Sequence, residues 1–153
     1  MKYGRFDDER REYVVERVDA PFSLTNYLGQ GGLGAVVNQN AGGYLWNGSP
    51  QYHRVTRFRP NGVPLDRPGH YVYVRDDETG IFWSLSWQPV GRPLDTAAYE
   101  CRHGFGYSTY VCEAEGVRGA QTLFIPPDGD AELWEVRLTN VSGRRRALSL
   151  YGY

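Results

Sequence analysis

The clearest strand pattern in the chain is Glu132-Leu133-Trp134-Glu135-Val136-Arg137-Leu138-Thr139, in which apolar and polar side chains alternate from Trp134 onwards. Alternation with a period of two is typical of a half-buried β-strand. The turn-forming stretch Asn140-Val141-Ser142-Gly143 follows, and Arg146–Gly152 alternates again. The pattern predicts a hairpin between the two strands. Because the second strand continues to the last residue and leaves an unpaired sheet edge, we expect the front part of a longer polypeptide.

The same short periodicity recurs along the chain, and no segment sustains a helical apolar pattern over eleven residues. The chain has 19 Gly and 9 Pro in 153 residues, an excess that argues against a helical bundle. The sequence therefore predicts an all-β fold. The predicted strands are Glu12–Glu16, Leu33–Asn38, Gly43–Trp46, Val55–Arg59, His70–Arg75, Ile81–Trp87, Tyr107–Cys112, Gly119–Ile125, Glu132–Thr139 and Arg146–Gly152.

Charge and composition narrow the classes of partner. The net charge is −1, so no strong field attracts nucleic acid, and no run of 18 apolar residues or signal-like N-terminus indicates a membrane. We expect a cytoplasmic protein with neither partner. The two cysteines, Cys101 and Cys112, are too few for a disulfide framework, and we expect free thiols.

Three motifs suggest chemistry that their context does not support. Gly29-Gln30-Gly31-Gly32-Leu33-Gly34 matches the dinucleotide fingerprint, but the residues after it predict a strand and another turn rather than a helix. Cys101, His103 and Cys112 lack the paired spacing of a zinc site, so we expect no metal. The acidic triplets Asp7–Glu9 and Asp76–Glu78 are expected to be solvated loops, so no catalytic residue is predicted.

Arginine and aromatic residues alternate in Tyr52–Arg59. On a strand, Arg57 and Arg59 emerge on one face, where two guanidinium groups can clamp an anion. A solvated sheet face with cross-strand ion pairs is the equally weighted alternative. The tryptophans and most tyrosines are expected to serve as core or interface rings.

Seven blocks in a fixed order resemble the N-terminal region of the glycoside hydrolase family 94 phosphorylases, the cellobiose phosphorylase group. They include Asn40-Ala41-Gly42-Gly43-Tyr44 and Glu100-Cys101-Arg102-His103-Gly104-Phe105-Gly106-Tyr107. The resemblance extends over essentially the whole chain. The blocks are Tyr3–Val15, Asn26–Gly29, Asn40–Tyr44, Arg57–Asp66, His70–Asp76, Phe82–Val90 and Glu100–Tyr107.

The resemblance implies that residues 1–153 are the N-terminal part of a large antiparallel β-sandwich, galactose-mutarotase-like, whose catalytic (α/α)6 barrel lies beyond this chain. Such enzymes cleave a β-linked glucosyl disaccharide with inorganic phosphate and invert to α-glucose 1-phosphate, with no cofactor. An aspartate of the barrel protonates the leaving oxygen. The chain alone is expected to be inactive and to serve as a scaffold and homodimer surface.

The resemblance also provides candidate substrate-binding residues, since loops of this region reach the partner's cleft in the family. A structural role is the favoured alternative for each. Leu45-Trp46-Asn47-Gly48-Ser49 departs from the cellobiose-type pattern, whereas the segment beginning at Phe82 resembles the cellobionic acid branch, so the acceptor sugar stays open. The candidates are Tyr44, Trp46, Arg57, Arg59, Arg102 and His103.

Two rival functions remain open on the residues alone. A free-standing β-sandwich that binds carbohydrate explains the aromatic residues and the absence of a convincing catalytic pair. It predicts oligosaccharide binding by the isolated 153 residues. An arginine-rich nucleic-acid binder, the remote third possibility, predicts an affinity that falls steeply with salt.

Overall fold

The structure, a computed structural model, describes residues 2–56 and 68–153. These residues form twelve β-strands, and none of them forms a helix that is long and apolar enough to cross a membrane. The all-β prediction is confirmed. The strands are β1 Gly4–Asp7, β2 Glu12–Val15, β3 Thr25–Leu28, β4 Leu33–Asn38, β5 Gly43–Asn47, β6 Val72–Asp76, β7 Phe82–Ser84, β8 Ala98–Gly104, β9 Tyr107–Ala114, β10 Val117–Phe124, β11 Leu133–Asn140 and β12 Leu148–Gly152.

The strands make three antiparallel sheets. One has six strands in the order β1-β2-β8-β9-β10-β11, and the other two have three strands each, β3-β4-β5 and β12-β6-β7. In β9, side chains at alternate positions from Ser108 to Ala114 are buried, and β10 follows the same alternation from Val117 to Leu123. One face of the large sheet is therefore covered, as in a sandwich.

Two apolar clusters show what covers this face. In the first, Leu28, Val37 and Leu45 of the β3-β4-β5 sheet pack with residues of the large sheet that include Tyr110 and Leu123. In the second, side chains of β6 and β7, among them the fully buried Trp83, pack against β9 and β10. The two small sheets thus form a second layer over the large one.

The hairpin predicted between residues 132–139 and 146–152 is wrong. β11 pairs with β10 in the large sheet, whereas β12 pairs with β6 in a small one. The physical reason is the polar anchoring of the connection: the Arg146 guanidinium bonds to the buried carboxylate of Asp76 and to the carbonyl of Glu115. These bonds direct the chain across the sandwich, where Leu148 joins the second cluster.

The sequence analysis also missed three strands, β1, β3 and β8. In β8, the charged side chains of Glu100 and Arg102 face outward and Cys101 between them is buried. Two charges around a single apolar residue do not give the apolar run from which a strand is predicted. The predicted strand Val55–Arg59 runs outside the described residues, and its described part, residues 55–56, is not a strand.

Two glycines with positive φ differ in their surroundings. Gly43 opens β5 at φ 151°, where an added Cβ would lie 1.8 Å from the carbonyl oxygen of Val36 on β4. Gly48, just after β5, has φ 72° and open space around the same position. Only Gly43 therefore allows the two backbones to approach.

We predict that Gly43→Ala destabilises the β4–β5 pair by about 3 kcal/mol and Gly48→Ala by about 1 kcal/mol, because only the first adds a backbone clash to the unfavourable φ. Hydrogen exchange of β4 and β5 in the complete gene product measures the local opening free energy. Equal effects of the two substitutions would show that the close approach is unimportant.

Candidate functional site

Tyr44 and Trp46 lie on the outer face of the β3-β4-β5 sheet, because Leu45 between them points into the core. Their rings are 5.6 Å apart and tilted by 50°. Trp46 is opposite Gly34, and its indole lies over this glycine so closely that an added Cβ would come within 2.6 Å of the ring. The absence of a side chain at Gly34 thus allows the indole to lie flat on the sheet.

Arg54 completes this surface, which we call the aromatic face: Tyr44, Trp46 and Arg54. The guanidinium carbon is 5.6 Å from the centre of the Tyr44 ring, within the range of a cation–π interaction. A short backbone bridge joins Arg54 to Trp46. Half-buried rings beside a guanidinium offer an apolar platform with hydrogen-bond donors, which is the combination that a sugar ring needs.

Arg102 is held by carboxylates on the outer face of the large sheet. It lies 2.6 Å from Glu100, 2.9 Å from Glu12 and 3.3 Å from Asp7, and the Tyr107 hydroxyl donates to Glu12 at 2.7 Å. Although desolvation opposes the charge, the bonds to Glu12 and Glu100 raise the pKa of Arg102. Its guanidinium is therefore a permanent cation that pairs with carboxylates of three strands, β1, β2 and β8.

His103 points to the opposite face of the same strand. Its Nε2 donates to the Leu24 carbonyl at 3.0 Å, and the Ser108 hydroxyl donates to its Nδ1 at 2.9 Å. Burial lowers the pKa of His103, so the imidazole is neutral at pH 7, and burial raises the pKa of the neighbouring Cys101 thiol well above its usual value. The pair lacks a thiolate nucleophile.

The four candidate residues that the structure describes therefore do not form one site. Tyr44 and Trp46 are adjacent, whereas Arg102 and His103 occupy opposite faces of β8. Arg57 and Arg59 lie outside the described residues, and their role stays a prediction. Among residues 2–56 and 68–153, no group of three His, Cys, Asp or Glu side chains is arranged to hold a metal ion.

A second feature, which the sequence analysis missed, is a cleft of about 740 Å³ between the β1–β2 hairpin, β3 and the β8–β9 turn. Exposed aromatic side chains form its rim. The signals available in the sequence were Phe6, which precedes an acidic triplet, and Phe105, which lies between two glycines. We call this feature the aromatic cleft; its distinctive lining residues are Phe6, Asp8, Arg11, Tyr13, Tyr27 and Phe105.

Comparison with known proteins gives one consistent match. The family profile described as "Glycosyl hydrolase 94, supersandwich domain" matches residues 11–153. The chain is 53% identical to the N,N'-diacetylchitobiose phosphorylase of Vibrio furnissii and 50% identical to that of Vibrio proteolyticus, over 100% of its length and 19% of theirs. It is 32% identical to the solabiose phosphorylase of Paenibacillus borealis over 99% of this chain and 20% of that protein.

The chain thus spans about a fifth of the length of the curated relatives it matches. The alignments with these relatives extend over the whole chain or nearly so, and therefore include the segments of the aromatic face and the Arg102 cluster.

We predict that Arg102→Met destabilises the domain by about 2–4 kcal/mol at pH 7, because it leaves the carboxylates of Glu12, Glu100 and Asp7 unpaired. Arg137→Met is the matched control. Arg137 pairs with Glu135 on the same sheet face, but both side chains are more than half exposed, so the loss should stay below about 1 kcal/mol.

The Arg102→Met effect should shrink as the pH falls from 7 to about 3, because the Arg10 amide and Arg102 lower the pKa of Asp7, and the contribution of Arg102 to stability is lost as Asp7 becomes protonated. Urea denaturation of the complete gene product at both pH values measures the change. An effect no larger than that of Arg137→Met would contradict the role assigned to this cluster.

Proposed function

Because the chain belongs to glycoside hydrolase family 94 through its supersandwich domain, we propose that it is the N-terminal scaffold of an inverting disaccharide phosphorylase. The observation that carries the proposal is the match of residues 11–153 to that domain, together with 53% identity to a phosphorylase over the whole chain.

The proposed reaction uses inorganic phosphate as co-substrate and no cofactor. Phosphate attacks the anomeric carbon of a β-linked disaccharide while a carboxylic acid protonates the leaving oxygen, so that inversion gives an α-sugar 1-phosphate. Both the acid and the phosphate site are assigned to the part of the enzyme beyond these residues, the expected (α/α)6 barrel.

Two acidic residues of this chain, Asp76 and Asp7, support that division. Burial raises the pKa of Asp76, but bonds from the amides of Thr79 and Glu78 and from Arg146 outweigh it, and the net pKa is lowered. The pKa of Asp7 is likewise lowered, because the hydrogen bonds from the Arg10 amide and from Arg102 outweigh the effect of burial. A general acid needs a raised pKa, so neither carboxyl suits that role.

The donor sugar proposed first is N-acetylglucosamine, in N,N'-diacetylchitobiose. Two relatives named for this substrate are 53% and 50% identical to the chain, whereas a solabiose phosphorylase and a cellobionic acid phosphorylase are 32% and 36% identical, the latter over 86 residues. Cellobiose and cellobionate are the comparison substrates, as two examples of the β-linked glucosyl disaccharides that the sequence analysis expected with the acceptor left open.

We assign to the aromatic face a supporting role in substrate binding. Stacking of a pyranose on Tyr44 and Trp46 would place its hydroxyls beside the Arg54 guanidinium, whose nitrogens are hydrogen-bond donors. In this proposal the domain also forms a homodimer that brings such surfaces to the partner's cleft, and the enzyme works in the cytoplasm.

The second candidate function is a carbohydrate-binding module that acts without a catalytic partner. The aromatic face favours it, because two neighbouring rings and a guanidinium form a surface that can bind a sugar without any catalytic residue. Calorimetry separates the two: a module binds oligosaccharides as the isolated 153 residues, whereas a scaffold needs the remainder of the enzyme to complete its site.

We predict that the complete gene product releases a sugar 1-phosphate from N,N'-diacetylchitobiose only when phosphate is present. An assay of sugar 1-phosphate formation with and without phosphate, repeated with cellobiose and cellobionate, measures this. Release of free sugar at the same rate without phosphate would indicate a hydrolase, and inactivity on every β-linked disaccharide would overturn the proposal.

We predict further that Tyr44→Ala raises KM for the disaccharide by about tenfold, because a lost stacking contact weakens binding by about 1 kcal/mol or slightly more. The matched control is Phe82→Ala. Phe82 is 56% exposed on β7 of the other small sheet and should keep the KM of the unmodified enzyme. Equal KM values for both variants would show that Tyr44 does not contact the substrate.

A further inference from the structure

The aromatic cleft exposes more apolar ring surface than folding requires. Phe105 is 94% exposed, Phe6 75% and Tyr27 69%. Phe105 stands at the tip of the β8–β9 turn, next to Gly106, whose φ of 77° permits the tight reversal. Contiguous exposed rings around a concavity indicate a binding surface rather than a packing defect.

Hydrogen bonds hold the walls of the cleft in place. The Asn26 side-chain amide donates to the carbonyls of Gly104 and Tyr107 at 2.9 Å each, which ties β3 to the β8–β9 turn. The bond from His103 to the Leu24 carbonyl reinforces this link. On the remaining wall, the Phe6 and Tyr13 rings meet edge to face with centroids 5.0 Å apart. A ligand therefore meets a preformed cleft.

Some polar groups of the cleft already bond within the protein, and others do not. Glu12 accepts hydrogen bonds from Arg102 and Tyr107. The side chains of Asp8, Arg11 and Thr25 are exposed, and within the described parts of the chain they have no side-chain hydrogen bond or ion pair. A carboxylate, a guanidinium and a hydroxyl are thus available to accept and donate hydrogen bonds.

The charge of the cleft gives anionic ligands no electrostatic attraction. Of the three carboxylates in its lining, those of Asp7 and Glu12 are paired with Arg102, which leaves Asp8 and the guanidinium of Arg11 as one charge of each sign. Balanced charges create no field that would concentrate phosphate, nucleotides or nucleic acid. They suit an uncharged ligand rich in hydroxyl groups, whose hydrogens the Asp8 carboxylate accepts and whose apolar face lies against the rings.

We propose that the aromatic cleft is a second carbohydrate site, which binds a pyranose ring of a neutral β-linked saccharide by stacking on Phe105 and Phe6 and by hydrogen bonds to Asp8. The class of ligand rests on the proposed function, since the relatives act on disaccharides. The site has no part in bond cleavage: it would hold saccharide on the enzyme apart from the aromatic face.

The test is isothermal titration calorimetry of the complete gene product in phosphate-free buffer, where phosphorolysis cannot proceed. The probes are N,N'-diacetylchitobiose and cellobiose. We expect two binding events per chain, the weaker of which loses at least about tenfold in affinity in Phe105→Ala and in Asp8→Asn. Phe82→Ala, which removes an equally apolar exposed ring elsewhere, should retain both events.

A single binding event in the unmodified protein, or two unchanged events in Phe105→Ala and Asp8→Asn, overturns the proposal. The proposal is also overturned if Phe105→Ala sediments as a smaller species in analytical ultracentrifugation while its sugar binding is unchanged. The rings would then belong to a protein interface. If the unmodified protein lacks phosphorolysis but keeps a sugar-binding event sensitive to Phe105→Ala, the proposed function fails and the cleft assignment stands.

Discussion

His70 joins the three sheets, and the rest of the fold depends on this junction. Its amide donates to the Ala41 carbonyl at 2.8 Å, and its carbonyl accepts from the Gln121 side chain at 2.7 Å. Its Nε2 lies 3.2 Å from Glu132, whose other oxygen accepts from the Trp134 indole at 3.0 Å. The contact between Nε2 and Glu132 lacks hydrogen-bond geometry. Because His70, Ala41 and Gln121 are buried, loss of either the Ala41 or the Gln121 hydrogen bond leaves a desolvated polar atom, so these two bonds hold the small sheets against the large one.

This anchoring fixes the position of the surface that is proposed to bind sugar. The β3-β4-β5 sheet buries Leu45 and thereby presents Tyr44 and Trp46 outward, as a wall rather than a mobile loop. Rigid rings favour sugar binding by stacking, because side chains that are already ordered lose little conformational entropy on binding. In the proposed function, a catalytic domain supplies the acid and the phosphate site, and this sandwich supplies the shape of the sugar-binding surface.

The all-β class could be predicted from the alternation of apolar and polar residues, and the family from seven ordered sequence blocks, because both signals are local in sequence. The pairing of the strands could not be predicted from the sequence. The partner of β12 is set by the Arg146–Asp76 contact, 70 residues apart, which no local pattern reveals. β8 was missed because its outer charges find partners only in the folded sheet, such as Glu12 for Arg102. Grouping Arg102 with His103 as candidates likewise overlooked that adjacent strand residues face opposite sides.

The most direct measurement is a structure of the complete gene product with N,N'-diacetylchitobiose and a non-reactive phosphate mimic. The account predicts this sandwich next to a helical barrel, with a sugar ring stacked on Tyr44 or Trp46 and the mimic bound only by barrel residues. A saccharide that touches no residue of this domain, or a phosphate mimic bound within it, would contradict the assignment of the chain as the sugar-contacting scaffold of a phosphorylase.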